Sequence, residues 1–554
     1  MSRKIIKIIL SFIIIISGTK SYSQPSMHPG WPQQVGSPAG LLQRQGVVVF
    51  KHADEGWLIG ARCWHEIALF RLDGTTLPGW PQAVPVTDFL VSGISMGDID
   101  GDNDPEIVCA ARELYYNYSR LYVWHMDGEL DSILIRTITP PIWLQSPTLA
   151  DLDSNGTYEI LYASDSLHAL QSDGEEFPGF PIGWGNDPVS PYGGVVVGNL
   201  NENYIPDLVW ASLTKVHAWE LGAVEELPGW PISIPAASWG TSPILIPTEN
   251  GTFVAFAVET DIDYFLIHLW NSSGEESPPW PLGSGTGTPG YLSACDVDGN
   301  GEPDIVFISG LPWLFAFQLN GSQCPGFPRI FNANNSWGGV AAISNEVSET
   351  AWLSFPALSP YSAPNRDTTL VFLSQGTEVC TGFPVILSGK CLYESPALIP
   401  PENDTLMIAI ANSYGYVAVW DMPFPCSGSR IEWQMAAANP QRNGVYMPTP
   451  VLSIQNGFRG DLVPQSPGMG SPFPNPSNAG VIIPLTPYRD GTIDFTIYNL
   501  LGRKVSKGTV TTYLENESKI FWNGSESNGI PVNSGVYFIK INDWDVQRKI
   551  VIVR

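Results

Sequence analysis

One tetrapeptide recurs along this chain and limits its fold more than any other feature. Pro29-Gly30-Trp31-Pro32 returns as Pro78-Gly79-Trp80-Pro81, Pro178-Gly179-Phe180-Pro181 and Pro228-Gly229-Trp230-Pro231. Looser copies stand at Pro278-Pro279-Trp280-Pro281, Pro325-Gly326-Phe327-Pro328 and Thr381-Gly382-Phe383-Pro384. Successive starts lie 49, 100, 50, 50, 47 and 56 residues apart; the interval of 100 is two periods, with a degenerate boundary at Asp127-Gly128-Glu129. A fixed period of this length marks a repeat architecture, in which one unit cannot bury its apolar face alone.

Each unit has the same inner order. After the box comes a short apolar strand that ends in an Asp-rich loop. A β-branched strand follows, such as Glu106-Ile107-Val108-Cys109 or Asp304-Ile305-Val306-Phe307. A third strand carries an aromatic residue, as in Leu121-Tyr122-Val123-Trp124. No helical periodicity intervenes, and Gly (54), Pro (49) and 15% charged residues argue against helical bundles. The expected fold class is all-β: a β-propeller over residues 24–445, with eight blades or alternatively seven. Pro in the box marks sheet edges and corners, and its Trp can cover the gap between blades.

Four loops fall at one place in their units. They begin at Asp98, Asp151, Asn199 and Asp296, with an acid or amide at positions 1, 3, 5 and 9. Such alternation in a tight turn gathers oxygens around one point, which suits Ca²⁺ and its six to eight oxygen ligands. The candidate ligands are Asp98, Asp100, Asp102 and Glu106; Asp151, Asp153, Asn155 and Glu159; and Asp296, Asp298, Asn300 and Asp304. The alternative is a hairpin held by its own side-chain to backbone bonds. That alternative is the expectation for the loop with Asn199, Asn201 and Asn203. The Ca²⁺ expected here is structural.

These loops, with the strands after them, resemble the FG-GAP (VCBS-type) repeats of secreted bacterial propellers, similar to the integrin-α head. The resemblance covers about 400 residues.

Residues 1–23 have the layout of a secretory signal peptide: Arg3, Lys4 and Lys7, an apolar run from Ile8 to Ile16, then Ser21-Tyr22-Ser23. No other segment reaches membrane-spanning length. The formal charge of −27 excludes nucleic acid or an anionic membrane as a bulk-charge partner. The charge is uneven. Residues 24–470 carry 14 basic and 47 acidic residues, whereas 471–554 carry nine and seven. Seven Cys are too few for a disulfide scaffold; Cys380 and Cys391 could pair, and Cys109 and Cys295 read as small buried hydrophobes.

Residues 446–472 read as a linker, and 473–554 as a small Ig-like β-sandwich of six or seven strands. The strings Pro474-Asn475-Pro476, Ile497-Tyr498-Asn499, Gly502-Arg503, Phe521-Trp522-Asn523-Gly524, Ser534-Gly535-Val536-Tyr537-Phe538 and the closing Lys549 to Arg554 carry a second resemblance. They look like the C-terminal sorting domain of type IX secretion cargo, itself similar to the Ig-like domain of the flagellar hook-cap protein. That resemblance implies the type IX machinery as partner, and a secreted or outer-membrane surface location in a Gram-negative bacterium.

Three catalytic-looking strings lack their context. Gly93 to Gly97 matches a nucleophile elbow around Ser95, but an Asp loop follows instead of a helix. Gly285 to Gly290 lacks a βαβ setting, and His65-Glu66 lacks its second His. His125, His168, His217 and His268 all fall in third strands and read as strand filling. The function expected is a binding or adhesion module for a glycan or protein. The alternatives are an extracellular carbohydrate-active enzyme, such as a propeller polysaccharide lyase, or a purely structural surface protein.

Overall fold

The computed structural model describes residues 24–553. The longer stretches outside the description are 37–45, 139–145, 184–193, 285–289, 359–367, 390–394, 451–467, 470–480, 513–517 and 542–546, with shorter loop gaps elsewhere. The expected signal peptide, Cys391 and the expected Cys380–Cys391 pairing therefore lie outside the described residues. The chain divides into two compact units, Met1–Ile454 and Gln455–Arg554.

Among its described residues the first unit forms eight antiparallel sheets in chain order. The second sheet shows the plan. Ser95–Gly97 pairs with Glu106–Glu113, that strand with Ser119–Trp124, and the last with Arg136–Ile138. Both faces of each middle strand are covered, because neighbouring sheets pack face to face. Leu161 and Ala169 of the third sheet meet Leu208 and Trp210 of the fourth in one apolar cluster. The innermost strands run side by side, and Ala397–Ile399 of the eighth sheet neighbours Val48–His52 of the first. This is the β-propeller arrangement.

The box closes each sheet rather than opening the next. A short outer strand follows it, as in Gln82–Ala83, Ile232–Ser233 and Arg329–Ile330. The first box accordingly belongs to the last sheet. Ser26–Met27 and Gln33–Gln34 pair with Tyr416–Pro425, with Met27 opposite Trp420 and Gln33 opposite Val417. Two ends of the unit separated by almost 400 residues thus share one sheet and shut the ring.

The box is also a latch to the following sheet. Its indole N–H donates to a turn carbonyl there: Trp31 to Leu72 (2.7 Å), Trp80 to Met126 (2.7 Å), Trp230 to Ser272 (3.1 Å) and Trp280 to Leu319 (2.8 Å). Glycine is required where the turns touch. A Cβ on Gly79, whose φ is +86°, would stand 1.6 Å from the Asp127 carbonyl oxygen.

Hydroxyls stitch the inner ring. Ser95 donates to the Pro147 carbonyl (2.5 Å), Thr148 to Val195 (2.7 Å) and Ser293 to Val340 (2.7 Å), each reaching the next sheet. Ser95 is fully buried in a strand, so the elbow-like string around it is a ring contact.

The axis of the ring is filled by the chain itself. Ser429–Trp433 pairs with Ala341–Asn345, the inner strand of the seventh sheet. The chain then crosses the middle. Gln434 bonds to Leu398, Gln441 to Leu149, Asn443 to Val197 and Gly444 to Leu245 through backbone atoms, at 2.8 to 3.3 Å. Arg442 is 2% exposed and donates through Nε to the Ile94 carbonyl (3.0 Å). Burial lowers its pKa to about 10. Inner strands of five sheets are braced by one segment that has no periodic sequence pattern.

The second unit is an Ig-like sandwich. Its sheets are Gly468–Met469, Val481–Thr486 and Ser518–Trp522 against Lys504–Thr512, Gly491–Asn499, Gly535–Ile541 and Gln547–Ile552. Ile483, Ile497, Ile520, Ile539 and Ile550 form its core. Thr449–Pro450 pairs with Ser429–Trp433, and Gly468–Met469 pairs with Val481–Thr486. Among the described residues, no helix is long and apolar enough to cross a membrane.

Candidate metal centres in the acidic loops

Each acidic loop joins the innermost strand of its sheet to the second strand. The position-nine carboxylate begins that second strand and is buried. One of its oxygens accepts the backbone N–H of position two: Ile99 on Glu106 (2.7 Å), Leu152 on Glu159 (2.8 Å), Leu200 on Asp207 (2.7 Å) and Val297 on Asp304 (2.8 Å). The position-one carboxylate gathers the following N–H groups. Asp98 takes Gly101 and Asn103, Asp151 takes Asn155 and Gly156, and Asp296 takes Gly299, Asn300 and Gly301, all at 2.7 to 3.0 Å. Position three accepts from position five, and position five from position seven: Asp102 from Asp104 (2.8 Å), Asn155 from Thr157 (2.7 Å) and Asn300 from Glu302 (2.7 Å). These nested Asx turns aim several carboxylates at one point. Each ionised oxygen keeps acceptor capacity beyond the one N–H it receives.

Ligand atoms of Asp98, Asp100 and Asp102 lie within 4.8 Å of one another, as do those of Asp151, Asp153 and Glu159. Asp100 and Glu106 form a further triple with His125, and Asp298 and Asp304 form one with Cys324. Asp296 stands outside that last triple, with both oxygens on backbone N–H groups. Asn155 Oδ1 accepts both the N–H and the hydroxyl of Thr157, each at 2.7 Å.

His125 and Cys324 were not among the expected ligands. His125 is one residue beyond Trp124, which pairs with Ile107, so it lands opposite Glu106. Cys324 precedes the box at Pro325. Only the cross-strand register places either residue over a loop.

Electrostatics follow from crowding acids in a dry place. Burial pushes Glu106, Glu159 and Asp304 each up to about 7, and Asp207 to about 6. Burial disfavours a charged His125, but Glu106, Asp131 and Asp100 outweigh it and raise the imidazole pKa. Burial, then Asp304, raises the Cys324 thiol well above its usual range.

The loop at 199 solves the problem differently. Asn201 donates through Nδ2 to Glu220 (3.0 Å) and to Asp207 (3.4 Å), and the Asn203 amide donates to Glu220 as well. At position three the Asn201 amide stands where the other loops hold Asp100, Asp153 and Asp298.

The other third-strand histidines pair with a glutamate just before a box: His168 with Glu176 (2.7 Å), His217 with Glu226 (3.1 Å) and His268 with Glu276 (2.6 Å). His217 also stacks against Trp210 and Trp219, which stack on each other.

This fold and these loops define a secreted β-propeller of FG-GAP-like repeats. Residues 98–162, from one acidic loop through the next, match the FG-GAP-like repeat, and residues 471–553 match the secretion system C-terminal sorting domain. The chain is type IX secretion cargo, a secreted or outer-membrane surface protein of a Gram-negative bacterium. No match was found among curated proteins. Similar solved structures include the V. cholerae biofilm matrix protein Bap1, at 11% identity over 77% of this chain and 97% of that one, TM-score 0.37. Bacillus licheniformis rhamnogalacturonan lyase PL11 is similar at 12% identity over 91% of each chain, TM-score 0.29. The Dos1 propeller is similar at 12% identity over 61% of this chain and 76% of that one, TM-score 0.33.

Proposed function

We propose that this protein is a calcium-stabilised binding module displayed at the cell surface, where its propeller holds a glycan or protein partner. The observation that supports this best is the construction of the acidic loops. Their carboxylates are fixed by the backbone of the same hairpin, so a bound cation tethers that hairpin to its sheet. The donor set fits Ca²⁺. Asp98, Asp100, Asp102 and Glu106 would hold one ion, Asp151, Asp153, Asn155 and Glu159 a second, and Asp296, Asp298, Asn300 and Asp304 a third. Asp304 Oδ1 is buried and accepts no hydrogen bond from nitrogen or oxygen. Burial, then Asp304, raises the pKa of the neighbouring Cys324 thiol, and the rest of the donor set is oxygen, as a hard cation prefers.

One observation favours the lyase alternative: His125 stands beside Asp100 and Glu106. A general base must be neutral, however, and the three surrounding carboxylates favour the imidazolium. A screen of glycans and matrix proteins, with and without Ca²⁺ and paired with a lyase assay, tests the proposal. Saturable binding without turnover supports it. Unsaturated products that vanish in His125→Ala would replace it with the lyase. Deletion of residues 473–554 is expected to abolish surface delivery while leaving binding by the purified propeller intact.

A further inference from the structure

We infer that the cleft between the fifth and sixth sheets is a subsite for a neutral saccharide. This rests on the reading of the protein as a binding module and assigns a location and a ligand class. The cleft has a volume of about 400 Å³, within the range of small-ligand sites. Five segments build it. Asn250 comes from the turn between Ile244–Thr248 and Gly251–Asp261, Phe253 from the strand after it, and Ser277 from the approach to the fifth box. Asn300 comes from the third candidate metal loop, and Gln318 and Asn320 from the end of Trp313–Gln318.

The lining is mostly amide and hydroxyl, with the half-buried Phe253, the apolar Pro303 and Leu319 and the carboxylates of Glu302 and Asp304, and it holds no Lys, Arg or His. Two of its amides are oriented in advance. Gln318 Nε2 donates to Asp298 Oδ2 (2.6 Å), and Gln318 Oε1 accepts from Asn320 Nδ2 (3.2 Å). An ionised carboxylate only accepts, so Asp298 fixes which way Gln318 faces, and Gln318 then fixes Asn320.

The lining discriminates between ligand classes. An anionic sugar would meet Glu302 in a cleft wall that carries no Lys, Arg or His, and the ion proposed for the Asp298 and Asp304 loop is already balanced by that loop's own carboxylates. An apolar ligand would strip water from amides and leave them unpaired, at about 1–3 kcal/mol each. A neutral saccharide supplies hydroxyls that both donate and accept, and a C–H face for Phe253.

The test uses the full exported chain against immobilised neutral oligosaccharides, uronate oligosaccharides and matrix proteins. Asn250→Ala and Ser277→Ala are combined in one variant. Neither side chain has a hydrogen bond among the described residues, so its thermal midpoint should match the parent. Binding of neutral oligosaccharides that weakens at least tenfold in the double variant is the expected result. Undiminished binding by the double variant, or binding of uronates alone, overturns the assignment. Binding of a matrix protein without any glycan overturns the cleft but keeps the binding module. Binding of nothing overturns both.

Discussion

Gly79→Ala and Gly179→Ala change the same residue of the same box, and the structure gives them different costs. Both glycines have positive φ, +86° and +97°, so both variants carry the left-handed penalty of about 1–2 kcal/mol. At Gly179 a new Cβ meets nothing within 4 Å, and the penalty ends there. At Gly79 the Cβ would sit 1.6 Å from the Asp127 carbonyl oxygen, where a carbon–oxygen contact needs about 3.3 Å. The box and the turn must then part by roughly 1.7 Å, the difference between those separations. That opening stretches the Trp80 Nε1 to Met126 bond, now 2.7 Å, beyond hydrogen-bonding range. Losing it with one partner buried costs about 1–3 kcal/mol. Loosening Trp80, 7% exposed, from Trp124 adds about 1 kcal/mol. The total is about 3–6 kcal/mol for Gly79→Ala against about 1–2 kcal/mol for Gly179→Ala. Equilibrium denaturation followed by Trp fluorescence measures both. Equal costs, or a larger cost at Gly179, would show that the box is not a latch between sheets.

The remaining predictions concern the loops, the stitches and the axial segment. In chelator, stability should fall as pH rises from about 4.5 to about 7, because folded Glu106, Glu159 and Asp304 keep protons that the unfolded chain releases. Ca²⁺ at a hundredfold excess over its Kd should add about 2.7 kcal/mol per site at pH 8 and less at pH 5.5, where it must displace protons. Thermal midpoints at both pH values, unchanged by Ca²⁺, would rule out the metal. Ser95→Ala should cost about 1–2 kcal/mol by leaving the buried Pro147 carbonyl unpaired, and any hydrolase activity should persist in it. Arg442→Ala should cost about 3 kcal/mol or more, since it empties a buried volume and frees the Ile94 carbonyl; a midpoint within a degree of the parent would show that the axial segment carries no load.

Much of the loop chemistry could be read in the sequence because it is local. Bonds from Asp98 to Gly101 and Asn103, or from Ile99 to Glu106, span three to seven residues. A nine-residue pattern can therefore encode them. The strand at Lys504–Thr512 is hard to read in the sequence because it is an edge strand. Its Lys504, Ser506, Lys507 and Thr509 leave little apolar alternation, which suits an edge that must discourage pairing.

By itself the sequence determined the period, the all-β class, the acidic loops and the sorting tail, since each is written in neighbouring residues. Tertiary structure alone decided that the first box seals the last sheet and that Cys324 and His125 stand over acidic loops. It also decided that residues 434–446 fill the axis, where Arg442 bonds to Ile94 across 348 positions. Such contacts follow from closing a ring, and ring closure brings together segments whose local sequences need not resemble or anticipate one another.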